Sequence, residues 1–204
     1  MRIAVLGTRG FPDIQGGVEQ HCEKLYPFLA KGDCFITVYR RKPYISNHDK
    51  SFENIKFIDL PSTRIPGFEA FYHSFLGSVS CIFKRPDIVH IHNIGPGFFT
   101  PLLKMAGLKV ILTYHSPNYE HAKWSSAARA FLKFAESLST KFSDKVIFVS
   151  KYQKSKFSGN SKLIHINNGV VFNAPSKEDD YLKKLGLEKE RYVLAVGRLV
   201  KEKG

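Results

Sequence analysis

Three groups of residues in this sequence have types and spacing suited to chemistry. The loop "GTRGFPDIQGG" carries Gly7-x-x-Gly10 and then Gly16-Gly17, the second pair at the start of a helical pattern. Glycines there let an anion approach the free N–H groups of a helix start, where the macrodipole also favours negative charge; the other reading is that they serve turn geometry alone. His90 and His92 alternate along one strand and therefore share a face, and His115 stands where the next strand opens into a loop, which gives it a polar role in a cleft. The three would form a metal site if they converged. No Asp, Glu or Cys lies beside them at ligand spacing, however, and a strand histidine is commonly a packed core residue, so no metal is expected. Finally, "VGRLVKEKG" sets Arg198, Lys201 and Lys203 behind a glycine. An Arg fork and a mobile Lys charge suit a diphosphate, with a solvated basic tail as the alternative.

Other chemistries are disfavoured by what these positions contain. The first loop lacks G-x-G-x-x-G spacing and the second strand closes as "TVYRRKP" without an acid, which argues against a dinucleotide cofactor. No G-x-S-x-G elbow or local Cys-His signature marks a nucleophile. Cys22, Cys34 and Cys81 are odd in number, share no C-x-x-C spacing and lie within apolar patterns, so they read as core thiols of a reducing compartment.

The elements that position these residues follow from periodicity. Short β-rich runs at 2–7, 34–40, 55–60, 87–92, 109–114, 145–150 and 163–167 alternate with helical patterns. The first helix carries Val18, Cys22, Leu25, Tyr26 and Leu29 on one face, with Pro27 expected to kink or shorten it. Further helices are expected at 97–107, 125–142 and 151–157. Phe68, Phe71, Tyr72, Phe75, Leu76, Val79 and Ile82–Phe83 recur at helical spacing. That stripe reads as core first, and as a membrane-docking face second, with Arg64 and Lys84 flanking it. Strands alternating with helices predict a doubly wound parallel α/β sheet of Rossmann type, whose ligands bind at the loops beyond the strands' carboxyl ends. "HNIGPG", "YHSPN", "VSK" and "NNGV" fall there with the first loop. "NNGVVFNAPSKEDD" reads as a linker, followed by a helix in "DDYLKKLGL" and a strand in "YVLAVG", too few elements to close a second core.

Bulk numbers bound the rest. The chain has 204 residues, 43% of them apolar and 24% charged, which is ordinary folded content. The N-terminus enters a strand directly, without a signal-peptide layout, and no apolar run approaches the ~18 residues of a membrane span; a cytoplasmic location is expected. The net charge of +13 would attract nucleic acid, anionic lipid or phosphorylated ligands. Charge alone supports nucleic acid, so no nucleic-acid partner is expected.

Gly16-Gly17-Val18-Glu19 after a first strand, "DIVHIHN", the strand-end His115, "DKVIFVSKY", "INNGV" and "VGRLVKEKG" resemble, in this order, the retaining family-four glycosyltransferases of GT-B fold. The segment "AKWSSAARAFLKFAESLSTKFSDKVIFVSK" further resembles a branch of bacterial polysaccharide glycosyltransferases that includes rhamnosyltransferases. The resemblance implies an acceptor-side domain over residues 1–170, and over 171–204 a linker with the truncated start of a nucleotide-sugar-binding domain. It implies transfer of a sugar, a hexosyl group among the candidates, from a nucleotide-sugar donor to a saccharide or lipid-linked acceptor with retention, in cell-surface polysaccharide biosynthesis. No cofactor or metal is implied. By position, Gly16 and Gly17 would approach the donor diphosphate, His115 would sit beside the reacting sugar, and Arg198 and Lys203 would neutralise the leaving diphosphate. Asn93, Tyr114 and Trp124 are the acceptor-side candidates. The basic field suits an acceptor on a lipid phosphate and a peripheral place on the inner face of an anionic membrane. The family's E-x7-E segment belongs beyond Gly204, so this chain is expected to be inactive by itself. The alternative is a non-catalytic module that binds glycan or anionic lipid.

Overall fold

A computed structural model of the chain describes residues 1–46, 50–65, 67–120, 124–157, 161–170, 180–188 and 190–196. In chain order the elements are β1 (Arg2–Leu6), α1 (Gly17–Ala30), β2 (Phe35–Arg41), β3 (Ile55–Leu60), α2 (Phe68–Lys84), β4 (Ile88–His92), α3 (Thr100–Met105), β5 (Val110–Tyr114), α4 (Ser126–Phe142), β6 (Lys145–Phe148), α5 (Lys151–Ser155), β7 (Leu163–His165) and α6 (Asp180–Lys184), with 3-10 turns at Lys42–Tyr44, Pro96–Phe99 and Asn118–Glu120. Two compact units divide the chain, Met1–Asn168 and Gly169–Gly204.

All seven strands of the first unit pair in parallel, in the order β3-β2-β1-β4-β5-β6-β7. From β1 the chain winds outward through β2 to β3, then returns to the other side of β1 with β4. This reversal separates the carboxyl ends of β1 and β4, and open α/β sheets bind ligands at that switch point. Alternation along each strand divides the core. Ile3, Val5, Ile36 and Val38 pack with Cys22, Tyr26 and Ala30 of α1 on one face. Ala4, Leu6, Val89, Ile91, Leu112 and Val146 pack on the other with Cys81 of α2, Leu103 of α3 and Leu132 of α4. The doubly wound parallel sheet is thus observed, and all three cysteines are buried free thiols.

Four expectations differ from what the chain does. Pro27 does not shorten α1, which continues past it to Ala30. The helix at 97–107 begins as a 3-10 turn before α3, and its α-helical part is only Thr100–Met105. The third concerns α2. Its buried residues are His73, Ser74, Gly77, Ser78 and Cys81, while Phe68, Phe71, Phe75 and Phe83 are exposed. Gly77 is the cause: a Cβ there would lie 2.4 Å from Leu6 Cδ2, so α2 approaches β1 too closely for large side chains to fit between them. The aromatic stripe is therefore the outer face, where Phe71 meets Phe98, Phe99 and Phe131. Last, residues 192–196 of the second unit form no strand, and Val193, Leu194 and Val196 are exposed. A strand is held by ladder partners, and none of the described residues of that unit supplies one.

Candidate active site

The loop after β1 is shaped by contacts that tolerate no side chain at two of its glycines. Gly7 has φ +93°, and a Cβ there would lie 2.0 Å from the His92 carbonyl oxygen, so β1 can leave the sheet beside β4 only as glycine. Thr8 is buried; its Oγ1 donates to Glu19 Oε1 at 3.4 Å and accepts the Gly10 N–H at 3.1 Å, and the Arg9 N–H donates to Glu19 Oε1 at 3.1 Å. Glu19 lies in the first turn of α1, and its carboxylate fills the space a Gly16 side chain would need: a Cβ at Gly16, φ +152°, would be 1.9 Å from Oε2. Gly16 is thus demanded by protein geometry. Gly17 differs. It is exposed, a Cβ there would meet nothing within 4 Å, and no side chain caps this helix end.

One turn into α1 stands His21, above a chain of buried polar groups. β4 turns Val89 and Ile91 toward α2 and α4, which leaves His90 and His92 facing α1. Tyr26 of α1 meets both: its hydroxyl lies 2.9 Å from His90 Nδ1 and 2.6 Å from His92 Nε2. His90 Nε2 is 2.8 Å from Thr113 Oγ1, and His92 Nδ1 is 3.0 Å from His115 Nε2. The His21 ring packs edge-on against His92 and His115, with centroids 5.7 and 5.2 Å away.

A hydroxyl has one proton, so of the two imidazole nitrogens facing Tyr26 one must donate and the other accept. The tautomers of His90, His92 and His115 are consequently coupled. If Tyr26 donates to His92, then His92 Nδ1–H donates to His115 Nε2; if it donates to His90, then His115 Nε2–H donates to His92 Nδ1. Either way every buried atom of the chain is satisfied with neutral rings. Burial holds the rings neutral, aided by the neighbouring imidazoles: His90 is pushed down to about 3, His115 to about 4, and His92 well below the usual range. His115 can therefore donate or accept a hydrogen bond at neutral pH without carrying charge.

The carboxyl ends of β2 and β3 add a second polar group. Arg40 is buried and grips Asp59 through Nε–Oδ1 at 2.6 Å and a second bond at 2.9 Å, with its guanidinium 4.2 Å from the Phe57 ring centroid. Arg41 pairs with Glu69 of α2 at 3.4 Å, and the Tyr44 hydroxyl donates to the same carboxylate.

Of the acceptor-side candidates, Asn93 stands at the end of β4 in the left-handed region, φ 72°, with its N–H donating to the Thr113 carbonyl at 3.1 Å. This places it beside the end of β5 and His115. Tyr114 does not join them. It faces the opposite side of the sheet, is buried against Phe148 and Phe157, and its hydroxyl donates to Glu136 of α4. Trp124 is half-buried with its ring over Gly67 at the start of α2. Arg198 and Lys203 lie outside the described residues.

His21, Tyr26 and Thr113 were not singled out by sequence reasoning as site residues. One signal was present: two histidines on the buried face of a strand require polar partners from the covering helix, and Tyr26 is the phenol on the inner face of α1.

Residues 15–173 match Glycosyltransferase Family 4. An uncharacterized glycosyltransferase of Methanocaldococcus jannaschii is 29% identical over 195 residues, 93% of this chain and 50% of that protein. Among solved structures, sucrose-phosphate synthase of Thermosynechococcus elongatus superposes with a TM-score of 0.73 at 17% identity, over 93% of this chain and 53% of that one. Arabidopsis thaliana UGT89C1 complexed with UDP-L-rhamnose gives 0.56 at 15% identity, over 90% and 55%. The chain thus spans about half the length of the relatives it matches.

Proposed function

The chain belongs to Glycosyltransferase Family 4, and from this premise we propose that it forms the acceptor-side half of an enzyme that moves a sugar from a nucleotide-sugar donor to a saccharide or lipid-linked acceptor. The anomeric configuration is retained, and the product belongs to cell-surface polysaccharide. The observation that carries the proposal is His115: a neutral, half-buried imidazole at the switch-point edge, its tautomer tied to His92 and Tyr26, its ring packed against His21, which stands one turn of α1 from the open Gly17. A fixed, uncharged donor–acceptor suits a sugar hydroxyl beside the reacting carbon. The transfer needs charge stabilisation of a departing diphosphate. The unblocked start of α1 at Gly17 offers partial positive charge for it, and Arg198 and Lys203 supply full charge once a donor domain folds around them. No metal is required by this chemistry. One relative is described with UDP-L-rhamnose; a nucleoside-diphosphate sugar is the donor class proposed here.

Peripheral contact with the inner face of an anionic membrane is part of the same reading. It rests on the outward phenylalanines of α2, Phe68, Phe71 and Phe75, and on the charge of +13. No helix among the described residues is long and apolar enough to cross a membrane.

The test is nucleoside-diphosphate release by a complete two-domain enzyme carrying this sequence, with a panel of nucleotide sugars and membrane-extracted acceptor, and the product's anomeric configuration read by NMR. His115→Ala is expected to lower kcat by about 100-fold, the cost of one lost transition-state donor, and Arg198→Ala and Lys203→Ala to cripple turnover. Near-normal turnover in the two cation variants overturns the assignment.

A further inference from the structure

We infer that His21, His92 and His115 form a binding site for a borderline divalent cation, zinc being the one their chemistry fits. One nitrogen from each ring lies within 4.8 Å of the other two, on three separate elements: α1, the end of β4 and the residue after β5. The ligands are all imidazoles, with no carboxylate among them, which selects zinc and its neighbours over magnesium or calcium. Tetrahedral zinc with bonds of ~2.0–2.1 Å sets its ligand nitrogens about 3.3 Å apart. His92 Nδ1 and His115 Nε2 stand 3.0 Å apart in a hydrogen bond that the ion replaces, each ring turning its lone pair from the other nitrogen onto the metal. His21 is half-buried on α1, and its ring must turn to cover the remaining distance.

The surroundings fit the role. A ligating histidine is normally held by a partner on its other nitrogen. For His92 that partner is the Tyr26 hydroxyl, 2.6 Å from Nε2. With Nδ1 of His92 on the metal, Nε2–H donates to Tyr26, Tyr26 donates to His90 Nδ1, and His90 Nε2–H donates to Thr113. Loading the site therefore leaves no atom of the buried chain without a partner. With the ion bound, His92 and His115 carry their N–H on the nitrogen away from the metal. Three protein ligands leave a fourth, open position for solvent. The sequence alone points away from metal because no Asp, Glu or Cys lies beside the strand histidines at ligand spacing; His21 enters from a helix. If the sugar stands beside His115 as proposed above, metal and sugar exclude one another. That consequence depends on the functional reading, whereas binding of the ion does not.

The experiment uses the full 204-residue chain, free of affinity tag and stripped with a chelator, titrated with Co2+ and then Zn2+. One Co2+ per chain is expected, with the visible absorption of a tetrahedral site that Zn2+ abolishes. His21→Ala and His115→Ala should each weaken binding at least about tenfold, and Tyr26→Phe by about 10–100-fold through the lost second partner. His165→Ala, on β7, should bind as the parent does. Because His21 is only half-buried, its variant should match the parent's thermal midpoint in chelator, which separates loss of the site from loss of the fold. Absence of stoichiometric binding, or binding that His21→Ala and His115→Ala leave intact, overturns the inference.

Discussion

Mild acid should destabilise this protein far more than its carboxylates account for. His73, His90 and His92 are at most 8% exposed. Burial holds His90 at about 3 and His73 at about 4, the latter helped by the Arg41 charge, and holds His92 well below the ordinary 6.5. In the unfolded chain each titrates at ~6.5. Between pH 7.5 and 5.5 the unfolded state therefore takes up protons that the folded state refuses, so stability falls as pH falls. For one imidazole the loss on going to pH 5.5 is RT ln(1 + 10), about 1.4 kcal/mol, as long as the folded ring stays neutral there. Three rings lose about 4 kcal/mol, against a total stability of about 5–15 kcal/mol. His21 and His115, more accessible, add in the same direction. Asp87 and Asp144 are held below their ordinary range and lose their contributions only at lower pH, outside this window. Urea unfolding at the two pH values should show a midpoint lower by about 2 M at pH 5.5, taking a slope near 2 kcal/mol/M. Replacing His73, which lies on α2 apart from the Tyr26 chain, by Gln should remove about a third of the difference. A midpoint that stays the same, or imidazole nitrogen shifts showing His90 and His92 charged at pH 5.5 in the folded protein, would refute the reasoning.

The two adjacent glycines should respond in opposite ways to the same substitution. Gly16→Ala forces a Cβ onto the Glu19 carboxylate at a φ of +152° and should cost about 1–3 kcal/mol. Gly17→Ala meets open space and should change the thermal midpoint little; equal losses in both would contradict the loop geometry. Replacing Phe68, Phe71 and Phe75 together by Ser should leave the fold in place at some cost in thermal midpoint, since all three are partly exposed while Phe71 packs on Phe98, Phe99 and Phe131 and Phe75 on Phe99. Sedimentation with anionic vesicles should fall at least tenfold, and binding that persists, or that zwitterionic vesicles match, would remove the membrane contact.

The alternating pattern of this chain was legible because each strand and helix reports its own burial through period. Seven strands, their parallel arrangement and the position of His115 at a strand end all follow from residues local to each segment. Three points did not follow. The direction of α2 is hidden because a helix with large apolar residues on one face and small residues on the other satisfies two opposite placements. Gly77 against Leu6 decides between them, and that contact joins residues 71 positions apart. Tyr114 and Thr113 are neighbours in sequence but face opposite sides of the sheet, so only Thr113 reaches the histidine chain. The pair Gly16-Gly17 looks uniform, yet one member is fixed by a carboxylate and the other is open.

What the sequence determined by itself, then, was the fold and the family resemblance carried by ordered motifs. What only tertiary structure decided was which groups meet. Tyr26 on α1 closes the circuit between two strand histidines, and His21 joins His92 and His115 from a different element. Periodicity tells which face of an element is buried, but hydrogen-bond partners are chosen by the packing of elements far apart in the chain. A site assembled from α1, β4 and β5 exists only once the sheet has brought them within a few ångströms of one another.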